Sequence, residues 1–194
     1  MARTKLNILP SPTFVHLGVN YAERETGDFE RENINVPDGT EQQTVRYKSA
    51  DSETAVTVGK DASLKLVMVF ISGQPCVSRL SAYLADNAKL ELIQLYLGGD
   101  TVSEIVTELK GARAAFTADI GYDLGSGDAL DLNLVAGHYG KKSVSEIAVS
   151  GVLRDNARKT FKGTIDFKNG SSGSKGSEKE EVILMSEAVV NKTV

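Results

Sequence analysis

The chain has 194 residues, 41% hydrophobic and 25% charged, with 22 Lys and Arg against 26 Asp and Glu for a formal net charge of −4. That balance suits one domain with a sizeable core, excludes wholesale disorder, and argues against a broad phosphate-tracking surface. One cysteine, Cys76, and two histidines, His16 and His138, exclude an intrachain disulfide framework, a Cys/His zinc cluster and a four-thiolate metal cluster built by this chain alone.

The N-terminus, MARTKLNILPSP, lacks the apolar region of a signal peptide, and no run of 18 apolar residues occurs anywhere. The expectation is therefore a cytoplasmic protein without a membrane span. Residues 1–55 read as an N-terminal extension holding three of the four prolines (Pro10, Pro12 and Pro37). The acidic stretch ERETGDFERE (23–32) reads as a solvated loop. FVHLGV (14–19) and TVRY (44–47) read as short strands or as cover for the main core.

From about residue 56 to 194 apolar and polar residues alternate between Gly, Asp and Asn turns. In AKLELIQLYLG (88–98), Leu90, Leu92, Gln94 and Tyr96 share one face of a predicted strand, with Lys89, Glu91, Ile93, Leu95 and Leu97 on the other. ALDLNLVAGHYG (129–140) repeats this, with Leu130, Leu132 and Leu134 on one side and Asp131 and Asn133 on the other. VSEI occurs at 102–105 and again at 144–147, with VSRL at 77–80. Alanines follow turns at Ala62, Ala88, Ala112, Ala129 and Ala157. Each unit then holds two short strands, as in a solenoid whose repeats bury a core only by stacking.

TVSEIVTEL (101–109) taken alone fits a helix as readily as a strand, since Val102, Ile105, Val106 and Leu109 share a helical face. VSEIAVSGVL (144–153), with Gly151 inside it and several β-branched residues, favours strand. Equivalence of the copies then makes all three strands. A β-sandwich is the competing all-β reading. Farther on, KNGSSGSKGSEKEE (168–181) reads as a flexible segment by composition, and EVILMSEAVV (181–190) as one more strand. A chain that stops just past a strand leaves an uncapped stacking edge, so truncation is expected at the C-terminal end.

VSRLSAYLADNAKLELIQLYLGG (77–99), HYGKKSVSEIAVSGVLRDNARKTFKGTIDF (138–167) and VILMSEA (182–188) resemble the core of the SufB/SufD family, and LPSPTFVHLGVN (9–20) resembles the segment leading into that core in SufD-like members. The resemblance implies an all-β fold, a right-handed parallel β-helix. It also implies a non-enzymatic scaffold in SUF iron–sulfur cluster assembly. The partners it implies are SufB- and SufC-like proteins, met in the full-length context, with self-pairing through the β-helix edges a further expectation. Nucleic acid and membrane are not expected partners.

The functional cysteine that SufB members carry before the strand matching VILMS is Glu180 here, and the family's later SufC-binding helices have no counterpart in this sequence. No catalytic, cofactor-binding or metal-ligating residue is therefore assigned. The expectation is that this chain alone holds no cluster, and that one is present only in a full assembly complex.

Two residues are weighed beside that. Cys76, in SGQPCVS, is placed at a turn before a strand. It would act as a thiolate only if its pKa were lowered, and otherwise as a small hydrophobe. His138 is read as a turn histidine bonded to the backbone of a neighbouring coil, for want of partner ligands. The rival functions are a carbohydrate-active β-helix enzyme using acids such as Asp123, Asp128 and Asp131, and a structural β-solenoid without chemistry. GYDLGSGD (121–128) lacks the Lys-Ser/Thr of a phosphate loop.

Overall fold

The computed structural model describes residues 3–9, 15–71 and 73–194. Strands β1 (Arg3–Leu6) and β2 (Ala22–Glu25) pair antiparallel. Beyond them the chain alternates between two parallel sheets. Strands β3 (Glu30–Val36), β5 (Ser52–Val58), β7 (Cys76–Leu84), β9 (Asp100–Leu109), β11 (Ala129–His138), β13 (Arg158–Phe167) and β15 (Val190–Thr193) form a sheet of seven strands among the described residues. Strands β4 (Glu41–Lys48), β6 (Ser63–Phe70), β8 (Lys89–Leu97), β10 (Ala115–Leu124), β12 (Val144–Leu153) and β14 (Lys175–Leu184) form the facing sheet of six. Each odd–even pair is one coil of a β-solenoid.

The period-2 pattern explains why the two sheets face each other. Leu90, Leu92, Gln94 and Tyr96 on β8 are all buried, and they meet the inward residues of the odd strands in one continuous apolar core. Parallel pairing has no local turn to fix register, so burial fixes it. A slip of one residue would turn every inward leucine out to water. The VSRL and first VSEI segments stack directly, with Val77 opposite Val102 and Leu80 opposite Ile105. The second VSEI lies in the other sheet, on β12. All three are strands, so the helical alternative for 101–109 is excluded.

Several sequence expectations need correction. The stacked strands begin at Glu30, within the segment read as an extension, and ERETGDFERE contributes to β2 and β3 rather than to a loop. In that first coil Glu32 faces inward, where Arg46 binds it at 2.6 Å and Lys48 lies 3.6 Å away. The serine- and lysine-rich tail is also a strand. Residues 175–184 pair along their whole length with β12, because backbone ladder bonds are indifferent to the polarity of side chains that face water. The predicted strand 181–190 is divided between β14 and β15 by a turn. His16 lies in a short 3-10 turn, Val15–Leu17, and not in a strand; Phe14 lies outside the described residues.

Coil corners show where the repeat was misaligned. Ala62, Ala88 and Ala114 are the buried equivalents at one corner, so Ala114 takes the place expected for Ala112. Ala157 is buried at the opposite corner, and Ala129 pairs with its neighbour Arg158. At the first corner, left-handed residues Asp61, Asn87, Arg113 and Lys142 each donate their N–H to a carbonyl one coil farther on, at 2.8–3.0 Å. Side chains stack there too: Asn87 donates to Asp61 at 2.5 Å and Arg113 to Asn87 at 2.7 Å. Asp and Asn tolerate this backbone conformation better than other side chains do, which explains the turn chemistry seen in the sequence.

Charged groups stand among the inward apolar residues of the last coil, as they do in the first. Lys159, fully buried, bonds Glu180, and Thr193 donates to the same carboxylate at 2.5 Å. Burial lowers the Lys159 pKa against the opposing effect of Glu180. Two coils inward, Tyr122 is buried with its hydroxyl unbonded among the described residues. Tyr122→Phe removes that unsatisfied group and keeps the ring. It is expected to leave stability unchanged or raise it by up to about 1 kcal/mol in urea denaturation. A larger loss would mean that the hydroxyl has a partner.

Candidate functional site

Two groups of polar side chains lie inside the apolar solenoid, and each contains one of the residues singled out in the sequence. The first forms where β7 and β9 face β8. Cys76 opens β7, is buried, and lies with its sulfur 3.4 Å from Thr101 Oγ1. In the adjacent inward column Ser52, Ser78 and Ser103 stack in register. Across from them, the Tyr96 hydroxyl lies 2.5 Å from Gln94 Oε1 and 2.7 Å from Ser103 Oγ. The amide oxygen only accepts, so the single phenolic proton goes to Gln94, and Ser103 donates to the phenol. Burial raises the Tyr96 pKa well above its ordinary value, so the ring stays neutral. Its face stacks on Phe70 with centroids 4.5 Å apart.

Chemically this cluster is a set of neutral hydrogen-bonding groups around a thiol. At 2% exposure Cys76 is closed to solvent, and a reactive thiol requires access. It occupies the position before a strand expected from the sequence. Its surroundings are those of a packed side chain.

The second group surrounds His138 at the end of β11. The ring is fully buried and stacks on Phe167 at 4.7 Å. Nδ1 lies 2.7 Å from Ser143 Oγ and Nε2 2.8 Å from Ser145 Oγ. Ser143 gives its proton to the Gly140 carbonyl at 3.0 Å, which makes Nδ1 the donor and Nε2 the acceptor from Ser145. The expectation of a turn histidine bonded to backbone is thus corrected: the ring is in the core and its partners are serine hydroxyls. Both nitrogens are engaged, and a ligand role would require breaking one bond.

Burial lowers the His138 pKa from its ordinary 6.5. The unfolded chain, with the higher pKa, binds more protons below that pH, so acid favours unfolding. His138 contributes stability above about pH 6.5, and that stability is lost as pH falls toward and through the lowered folded value. Thermal melts between pH 5 and 8 are expected to show a steeper acid loss for the native chain than for His138→Gln. Equal slopes would overturn this account.

The acids considered for sugar chemistry are scattered and occupied. Asp123 lies on the outer face of the six-stranded sheet, 2.7 Å from Arg154. Asp128 closes a corner by accepting from the Gly99 and Gly125 N–H groups at 2.8 and 2.7 Å. Asp131 lies on the outer face of the other sheet and binds Lys162 at 2.7 Å. They form no common site. Among the described residues no three His, Cys, Asp or Glu side chains gather where a metal ion could be held.

Sequence reading missed the Tyr96–Gln94–Ser103 bonds and the buried Lys159 and Lys162. A signal existed for the first. Gln94 interrupts an otherwise apolar inward face, and a buried amide requires partners.

Fold and interior together define a two-sheeted parallel β-solenoid with a packed, mostly apolar inside, a class built to present long outer faces. Residues 19–194 match the family described as SUF system FeS cluster assembly, SufBD core domain, and the chain belongs to that family. A comparison with curated proteins finds no match. The family places the chain in SUF iron–sulfur cluster assembly.

Proposed function

We propose that this chain is a SufD-like scaffold of the SUF machinery, acting through protein–protein contacts and not as an enzyme. The observation that carries this reading is the family match across residues 19–194. Contacts with a SufB-like protein, and with a SufC-like ATPase in the full-length context, follow from it. The proposed compartment is the cytoplasm. An iron–sulfur cluster would be cargo of the assembled complex and is not held by this chain alone.

Affinity-tagged chain mixed with a SufB-like protein is expected to retain it on a column. If a full-length version also failed to retain either a SufB-like or a SufC-like protein, the reading would be overturned.

A further inference from the structure

The outer faces of the two sheets are finished differently. On the seven-stranded sheet, Val77 and Val102 are covered by Leu6, Ala22 and Phe29. On the six-stranded sheet, no described segment covers an apolar square formed by β4, β6 and β8. Val45, Val67 and Ile93 stand side by side in one row, and Tyr47, Val69 and Leu95 in the next. Tyr47 is 76% exposed, Val45 45% and Leu95 38%. The square ends at β10, where register sets Asp119 beside Ile93 and Gly121 beside Leu95. Glu146 lies on β12 one row away, beside Thr117. Asp119 and Glu146 are exposed and make no ion pair among the described residues. A contiguous apolar patch with a polar rim marks a contact surface.

We propose that this face docks one amphipathic α-helix of a partner protein, with an apolar stripe on the square and basic residues toward Asp119 and Glu146. Size decides against a second copy. Ile71 and Leu97, both exposed, continue β6 and β8 past those two rows. Three strands about 4.8 Å apart and five residues of about 3.3 Å each then give roughly 240 Å², against about 800 Å² per partner in a standard interface. A helix about 10 Å wide and three turns, or about 16 Å, long fits that footprint. Joining through the β4 edge is disfavoured, because Arg46 and Lys48 point inward on that strand, a common guard against edge pairing. The carboxylates choose the sign of the partner's flank. This inference does not depend on the SUF assignment.

The probe is a 16-residue helical peptide with leucines at i, i+3, i+4, i+7 and i+11 and a lysine flank, compared with the same peptide bearing glutamates. Fluorescence anisotropy is expected to give at least tenfold tighter binding for the lysine form, with hydrogen-exchange protection rising at residues 45–47 and 93–97. Leu95→Lys should abolish binding. Asp119→Lys combined with Glu146→Lys leaves the apolar square intact and should reverse the preference, which separates docking from any loss of fold. Absence of binding by both peptides would overturn the proposal, as would equal binding of both. So would sedimentation showing a dimer that Leu95→Lys dissociates.

Discussion

Gly140→Ala is expected to cost about 3 kcal/mol or more, at the upper end of what overpacking does. At the corner after β11 the coils approach so closely that a Cβ on Gly140 would lie 1.8 Å from the carbonyl oxygen of Gly111, and one on Gly111 would lie 2.1 Å from backbone atoms of Ala85 and Asp86. These neighbours are main chain, so no rotamer change relieves the clash. The coils would have to part, and parting them breaks ladder bonds such as Gly140 N–H to Leu109 O at 2.9 Å. For a chain of this size the loss corresponds to a fall of roughly 6–12 °C in Tm. Gly73→Ala is the control, since nothing among the described residues lies within 4 Å of its added carbon. Similar melts for the two variants would refute the close-stacking account.

Asp131→Ala is the second large effect. Lys162 has no exposed side-chain surface and bonds Asp131 Oδ1 at 2.7 Å and the Asn7 carbonyl at 3.2 Å. Asn7 in turn donates to the Ser103 and Asp131 carbonyls at 3.1 and 2.9 Å. This cluster fastens the β1–β2 hairpin over the outer face of the seven-stranded sheet. Removing the carboxylate leaves a buried ammonium with one neutral acceptor, which costs about 3 kcal/mol. Hydrogen exchange over residues 3–9 and 19–25 should rise in the variant. Adding Lys162→Met should recover much of the stability, because the stranded charge is then gone. Unchanged exchange together with a loss below about 1 kcal/mol would show that the cluster does not hold the hairpin.

These two sites show what the sequence made legible. Strand identity was plain wherever inward leucines alternated with polar residues, as at Leu90, Leu92, Leu130 and Leu132, because one face is dry and the other wet. Strand pairing between coils was legible for VSRL and the first VSEI, which stack. It failed for the second VSEI, because both sheets obey the same period and nothing local says which one a strand joins. Polar strands were illegible for a related reason. β14 is held by backbone bonds to β12, and its composition reports only what its exposed side chains face. The candidate site was less legible still. Cys76 and His138 stood out by rarity, but their partners are Thr101, Ser143 and Ser145, ordinary residues that become partners only when the coils are closed. Asp131 looked like chemistry and serves as a fastening.

The coils also grow along the stack. Hydrogen-bonded partners on neighbouring coils are 22 residues apart at Arg31 and Glu53, 26 at Ser52 and Ser78, 29 at Gly99 and Asp128, and 31 at Ser143 and Ser174, while the strands lengthen from 7 to 10 residues. A column of identical rungs permits any layer to slide by one and find an equally good seat. This one widens in steps, since neighbouring coils are 26 residues apart at both Ser63–Lys89 and Lys89–Ala115, and 29 apart at both Asp100–Ala129 and Ala129–Arg158. A layer exchanged across a step meets a berth of the wrong girth and should jam the column, whereas an exchange between equal layers should be tolerated.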